Sequence, residues 1–234
     1  MKRSALSILL AGLIALVFIG VGVAIQRDLT FPPNSLPWRP VELDQPPHWM
    51  THWQIRRLHA DPEQCRDALT RAGLRFTPMA DRQSGESCGF KAVVRTERAP
   101  IAFSITPYAT CAMTAGLLWY QNRLQALARE HMKSRLVRIE QIGTYACRNI
   151  NNAEDGNRSQ HATANAMDIS GFTFADGRTV RVARDWGKET PKGRFLAAAR
   201  TEACGIFNAV LGPEYNRLHA DHFHLDMGPA WICR

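Results

Sequence analysis

The sequence predicts an α+β domain, with a small central antiparallel sheet carrying a metal site, helices flanking the sheet, and a transmembrane helix ahead of it at the N-terminus. Three observations lead there. An uncharged, apolar run fills Ser4–Ile25. Two long segments, Cys111–His131 and Pro191–Leu211, repeat apolar residues at helical spacing. The β-type stretches include Asp176-Gly177 between two β-prone runs, a hairpin signal, and a late run, His219–Asp226, that holds three of the eight histidines.

At the N-terminus, Lys2 and Arg3 precede the apolar run. At ~1.5 Å rise per residue, about 20 residues cross the ~30 Å hydrocarbon core of a bilayer. That length favours an uncleaved anchor over a cleavable signal peptide, for which Gly22-Val23-Ala24 is a poor exit. Lys2 and Arg3 stay on the cytoplasmic side. The expected localisation is therefore the inner membrane, single-pass, with the C-terminal domain in the periplasm. Residues 26–54 contain Pro32, Pro33, Pro37, Pro40, Pro46 and Pro47, a density that blocks helix and central strand. They read as a semi-rigid stalk, with Trp38 and Trp49 on the bilayer interface or on the domain surface. The globular domain is expected over residues 55–234.

Composition narrows the class. Apolar residues make up 45% and aromatics 9%, which is globular rather than disordered. The formal net charge is +8. Its lysines and arginines are scattered and no nucleic-acid motif accompanies them, so a solvated basic surface is read and no nucleic-acid partner. None of the six cysteines forms a C-x-x-C pair, which argues against a cysteine zinc cage. An even count behind an apolar N-terminus predicts three disulfides in an oxidising compartment, with the pairing left open.

Within the domain, Asp61-Pro62-Glu63 starts a helix with Cys65, Ala68 and Leu69 inward and Gly73 as its end. Residues 74–105 read as short strands or extended loops around Ala92-Val93-Val94 and Ile101-Ala102-Phe103. The Cys111–His131 helix is core. Val137–Tyr145 is a strand, and residues 149–158 are turn-formers on the surface. Ala166–Phe174 is a strand that turns at Asp176-Gly177 into Thr179–Val182. The second long helix is expected over Pro191–Leu211, with Phe207 and Val210 on its inner face and Gly212-Pro213 as its stop.

In a strand, side chains alternate between faces. His222, His224 and Asp226 therefore share one face, and Phe223, Leu225 and Met227 the other. The natural complement is upstream, where His161 sits just before the Ala166–Phe174 strand and Asp168 within it. Two imidazoles and one carboxylate leave a zinc ion one open position and enough charge to lower the pKa of water to about 7. The expectation is that His161, Asp168 and His224 hold one zinc ion and that the site hydrolyses a peptide bond. His219 reads as structural. Asp226 is either a partner to a ligand histidine or a strand-end charge.

Ser159-x-His161, Asp168 and the distant His222-x-His224 resemble the signature shared by D-Ala-D-Ala metallopeptidases, lysostaphin-type peptidases and hedgehog domains. Tyr145-Ala-Cys-Arg148, Ala166-x-Asp168-Ile-Ser-Gly-Phe172, Leu211-Gly-Pro-x-Tyr-Asn216 and His219-x-Asp-His-Phe-His-Leu-Asp226 resemble, more closely, the bacterial extensin-like C-terminal domain family over roughly residues 60–234. The resemblance implies His161, Asp168 and His224 as zinc ligands. It implies His222 off the metal, stabilising the transition state or shuttling a proton. Asp221 stands where many such peptidases have a general-base glutamate, one methylene shorter. Arg148 matches an arginine that binds substrate or the developing oxyanion, and Ser159 orients the site through hydrogen bonds. Ala164 replaces a glycine common three residues after the first ligand.

The implied function is a membrane-anchored, zinc-dependent peptidase acting on peptidoglycan stem peptides or crosslinks, of D,D-carboxypeptidase or endopeptidase type. Its partners would be peptidoglycan or its muropeptides, and the membrane through the N-terminal helix. The alternatives are an inactive zinc-containing peptidoglycan-binding module of the same fold and a disulfide-stapled structural protein of the envelope.

Overall fold

A computed structural model describes residues 2–26, 39–85 and 87–234. Pro32, Pro33, Pro37 and Trp38 of the expected stalk lie outside these residues. In chain order the elements are helices α1 (Lys2–Gln26), α2 (Thr51–Ala60) and α3 (Pro62–Arg71), then strands β1 (Arg75–Pro78), β2 (Arg82–Gln83), β3 (Gly89–Phe90), β4 (Val93–Arg98), β5 (Ala102–Phe103) and β6 (Tyr108–Thr110). Helix α4 (Cys111–Leu127) ends in a π-turn over Ala128–Met132. Strands β7 (Leu136–Gly143), β8 (Ala166–Phe174) and β9 (Thr179–Arg181) follow, then α5 (Val182–Asp185), α6 (Pro191–Cys204), β10 (Ala209–Leu211), β11 (Phe223–Asp226) and β12 (Ile232–Cys233).

Helix α1 is apolar and long enough to cross a membrane. Over Leu6–Gln26 its mean hydropathy reaches 2.9, and none of that window is buried. A membrane anchor and a signal sequence both have this form.

Among the described residues, seven strands form the main sheet, in the order β12-β10-β11-β8-β7-β5 with β9 beside β8. It is larger than the small antiparallel sheet expected. The central pairs are antiparallel, but β5 runs parallel to β7 and β12 parallel to β10 at the edges. Beside it lie a three-stranded sheet, β1-β4-β6, and the β2–β3 hairpin. The mixed α+β class holds.

Helix starts follow local chemistry. The Asp61 carboxylate accepts from the Gln64 backbone N–H at 3.0 Å ahead of Pro62, which fixes the first turn of α3. The Thr110 hydroxyl does the same for the Met113 N–H at 3.2 Å in α4. Helix α4 is buried almost all round, with Trp119 and Tyr120 wholly inside, and packs against α2, α3 and α6. Gly116 permits its close approach to the sheet: a Cβ there would sit 2.3 Å from the Met227 methyl just beyond β11.

Two expectations need correction. The second long helix ends at Cys204, not Leu211, because residues 209–211 pair as β10 with β11 and β12. Phe207 and Val210 are buried as expected, but from a connecting turn and a strand. The packed body also begins before residue 55. Val41 and Leu43 are wholly buried in the main core and α2 packs on α4, so the later part of the expected stalk belongs to the domain. The six cysteines form three disulfides: Cys65–Cys111 joins α3 to α4, Cys88–Cys147 joins the β2–β3 hairpin to the segment after β7, and Cys204–Cys233 joins the end of α6 to β12.

Candidate metal centre

Strands β8 and β11 run antiparallel with Asp168 directly opposite His224. The alternation of β11 holds: Phe223 and Leu225 are wholly buried in the core, leaving His224 and Asp226 on the other face. His161 arrives from a 3-10 turn over Gln160–Thr163, which Ser159 caps: its hydroxyl accepts from the His161 N–H at 3.3 Å. Ala164 closes this turn at φ +53°, a left-handed backbone that favours glycine.

These elements bring three donors together. His161 Nε2 lies 3.1 Å from His224 Nδ1 and 3.1 Å from Asp168 Oδ2, and His224 Nδ1 lies 2.9 Å from Asp168 Oδ1. All three side chains are buried. The outer ring nitrogens are already committed. His161 Nδ1 faces the Thr144 carbonyl at 3.3 Å, an oxygen that only accepts, so Nδ1–H donates and Nε2 offers its lone pair inward. His224 Nε2–H donates to Asp226 Oδ2 at 2.9 Å, and the other Asp226 oxygen accepts from the Gly228 N–H at 2.7 Å. Asp226 is therefore a hydrogen-bond partner of His224, not a loose strand-end charge. Two inward lone pairs and a carboxylate at this spacing repel unless a proton or a cation lies among them. A tetrahedral ion with its ligands at about 2.0–2.1 Å separates them by about 3.4 Å, close to the spacing here, so the donor set fits zinc.

Without an ion the site holds protons instead. Burial alone would raise the Asp168 carboxyl, but hydrogen bonds from His161 and His224 keep it far below the usual carboxylate range. Burial alone would lower His224, but Asp168 and Asp226 outweigh it and lift the imidazole to about 9.

A cleft of about 670 Å³ opens onto this cluster. Its lining includes His219, His222, His224 and Asp226, together with Ser159 and Arg148. Ile150 and Leu218, each half-exposed, give it apolar lips. The His222 ring stands between two carboxylates: Nδ1 is 2.7 Å from Asp221 Oδ1, and Nε2 is 3.7 Å from Asp168 Oδ1. Asp221 is thus on the outer side of His222 with a largely exposed side chain, and its reach is to the imidazole, not to the donor cluster. Arg148 forms no ion pair with a described residue, and its charge acts on His219.

His219 is part of the lining, although its residue type alone read as structural. Its Nδ1–H donates to Asn216 Oδ1 at 2.7 Å. Burial pushes its pKa down to about 4, helped by His222, His224 and Arg148 and opposed by Asp168, so it presents a neutral ring. The Thr144 carbonyl was not foreseeable, because a backbone acceptor leaves no mark on residue type. Asn216 is marked in retrospect by its spacing of three from His219.

No curated protein and no solved structure matches the chain. The family model described as "Extensin-like protein C-terminus" matches residues 63–234, which takes in all of α3 but its first residue, every strand among the described residues and the whole of the cleft just described. By that match the chain belongs to the extensin-like C-terminal family.

Proposed function

We propose that the chain is a zinc-dependent peptidase of the cell envelope, held at the membrane by α1 and acting on peptidoglycan stem peptides or their crosslinks. The observation that carries this reading is the inward convergence of His161 Nε2, Asp168 and His224 Nδ1 with both outer ring nitrogens already engaged, by Thr144 and Asp226. That arrangement orients ligands before a metal arrives. Bound there, a zinc ion supplies the Lewis acidity that peptide hydrolysis needs.

The chain's own residues divide the remaining work. Asp221 accepts the Nδ1–H of His222, which leaves Nε2 as a proton acceptor at the donor cluster. His222 Nε2 takes the proton of the attacking water as its oxygen bonds to the scissile carbonyl carbon. The same nitrogen returns that proton to the amine as the C–N bond breaks. Arg148, free of any described carboxylate, receives the developing oxyanion or a substrate carboxylate. Ile150 and Leu218 flank the scissile region and displace water from it. His219, neutral and held by Asn216, adds no charge that would compete with a cation.

The test is digestion of purified muropeptides by the full chain in detergent, with zinc counted in the same preparation. One zinc per chain and new peptide products are expected, both lost in His161→Ala. A metal-free wild type overturns the reading. The placement of Asp221 favours one alternative, a zinc-holding module that binds wall peptides without turnover, because no carboxylate takes the general-base position directly. Zinc present with no product from any pentapeptide or crosslinked substrate selects it.

A further inference from the structure

A second concavity, of about 880 Å³, lies on the other side of a ridge built from Gln160, Gly228 and Pro229, residues that line both hollows. Gln160 and Gly228 are packed without spare room: a Cβ at Gly228 would fall 2.7 Å from Gln160 Cδ. Gln160 Oε1 also accepts from Asn165 Nδ2 at 2.9 Å, so the ridge has a fixed shape.

The charge of this second hollow is one-sided. Arg56 and His59 line it from α2, Arg82 from β2 and Lys91 from just after β3. None of its described lining residues is a carboxylate. Arg56, Arg82 and Lys91 make no ion pair with any described residue and are exposed to solvent. Cations from two elements around one basin raise its affinity for anions, and no described lining residue offers a carboxylate that competes for them. The floor, with Phe90, Met227 and Thr110, is mostly apolar.

We infer that this basin is a subsite for a carboxylate-bearing segment of the same peptide whose scissile bond lies in the histidine cleft. The inference rests on the peptidase reading for the second half of that statement only. An extended peptide advances about 3.3 Å per residue, so a short segment can pass over the Gln160, Gly228 and Pro229 residues that line both hollows. Carboxylates on one side of the scissile bond then meet Arg56, Arg82 and Lys91 while the bond itself stays beside His222 and His224. The substrate class is an acidic peptide, and amidation of its carboxylates removes the attraction.

Binding is measured by calorimetry on the full chain in detergent, treated with chelator so that no turnover occurs. The probes are a muropeptide with free carboxylates and the same muropeptide amidated. The acidic probe is expected to bind more tightly, and the double variant Arg82→Gln/Lys91→Gln to weaken it by about tenfold while leaving the amidated probe unchanged. Arg194→Gln, an exposed cation on α6 away from both hollows, is expected to change neither. Equal binding of both probes, or equal loss in Arg194→Gln, overturns the subsite and leaves only the general basic charge. Digestion is scored separately. Selective binding without digestion upholds the basin and overturns the peptidase reading, and digestion without selective binding does the reverse.

Discussion

Asp226 touches no substrate in the proposed reaction, yet it decides which nitrogen His224 turns inward. Its removal as a charge in Asp226→Asn should weaken zinc by about 10–100-fold, read by chelator competition, with the fold retained by near-unchanged circular dichroism. A variant that binds zinc as tightly as wild type would deny the orienting role. Asp221→Asn belongs to the same scale. If Asp221 acts through His222, turnover should fall while zinc content stays at one per chain, and loss of zinc would show instead that it reaches the metal. Ala164 poses a different question, since its left-handed backbone costs an L-residue about 1 kcal/mol. Its methyl is wholly buried with Phe90 and Val93, worth about 0.8 kcal/mol, and glycine would also loosen the unfolded chain by about 0.4–1 kcal/mol. These effects oppose one another, so Ala164→Gly should move stability by less than about 1 kcal/mol in urea titration. A change of twice that would mean that one of them has been misjudged.

Strands β8 and β11 were among the most legible elements, and the reason is their two-sided constraint. Strand β8 was readable to the residue as Ala166–Phe174 because Met167 and Ile169 had to face the core while Asp168 faced the other way. Strand β11 was readable for the same reason. The end of α6 was not. Phe207 and Val210 continue a helical period by coincidence, and what stops the helix is pairing of β10 with β11 and β12, distant partners that periodicity does not register. The membership of Val41 and Leu43 in the core was hidden because a proline-rich composition argues only against regular structure, not against packing. Of the site, the grouping of His161, Asp168 and His224 was readable from spacing and Asp226 only as one of two roles, whereas the position of Asp221 outside His222 needed the turn geometry. The 3-10 turn that delivers His161 is a test at this scale. Gly228→Ala should push Gln160 aside, break its 2.9 Å bond with Asn165 and shift the turn, weakening zinc several-fold at a stability cost of about 1–2 kcal/mol. Unchanged zinc affinity would show that the ridge and the ligand turn move independently.

At the scale of the whole molecule, protons and metal compete for one cluster. In the metal-free chain the folded pKa of His224, about 9, exceeds its ordinary 6.5. The stabilisation from that proton is complete below pH 6.5 and is lost as pH rises through about 9. The melting temperature of metal-free protein should therefore fall between pH 7 and 9.5, and zinc-loaded protein, whose His224 must be neutral, should lack this fall. Parallel curves would mean that zinc does not occupy these donors. Cys88 and Cys147 add a covalent constraint. Their bond fastens the hairpin bearing Arg82 and Lys91 to the residue just before Arg148, so one covalent link aligns the walls of two hollows. In a reducing cytoplasm that link stays open as two thiols. Opening the Cys88–Cys147 link with a reductant should therefore loosen both hollows together, whether or not a metal is bound.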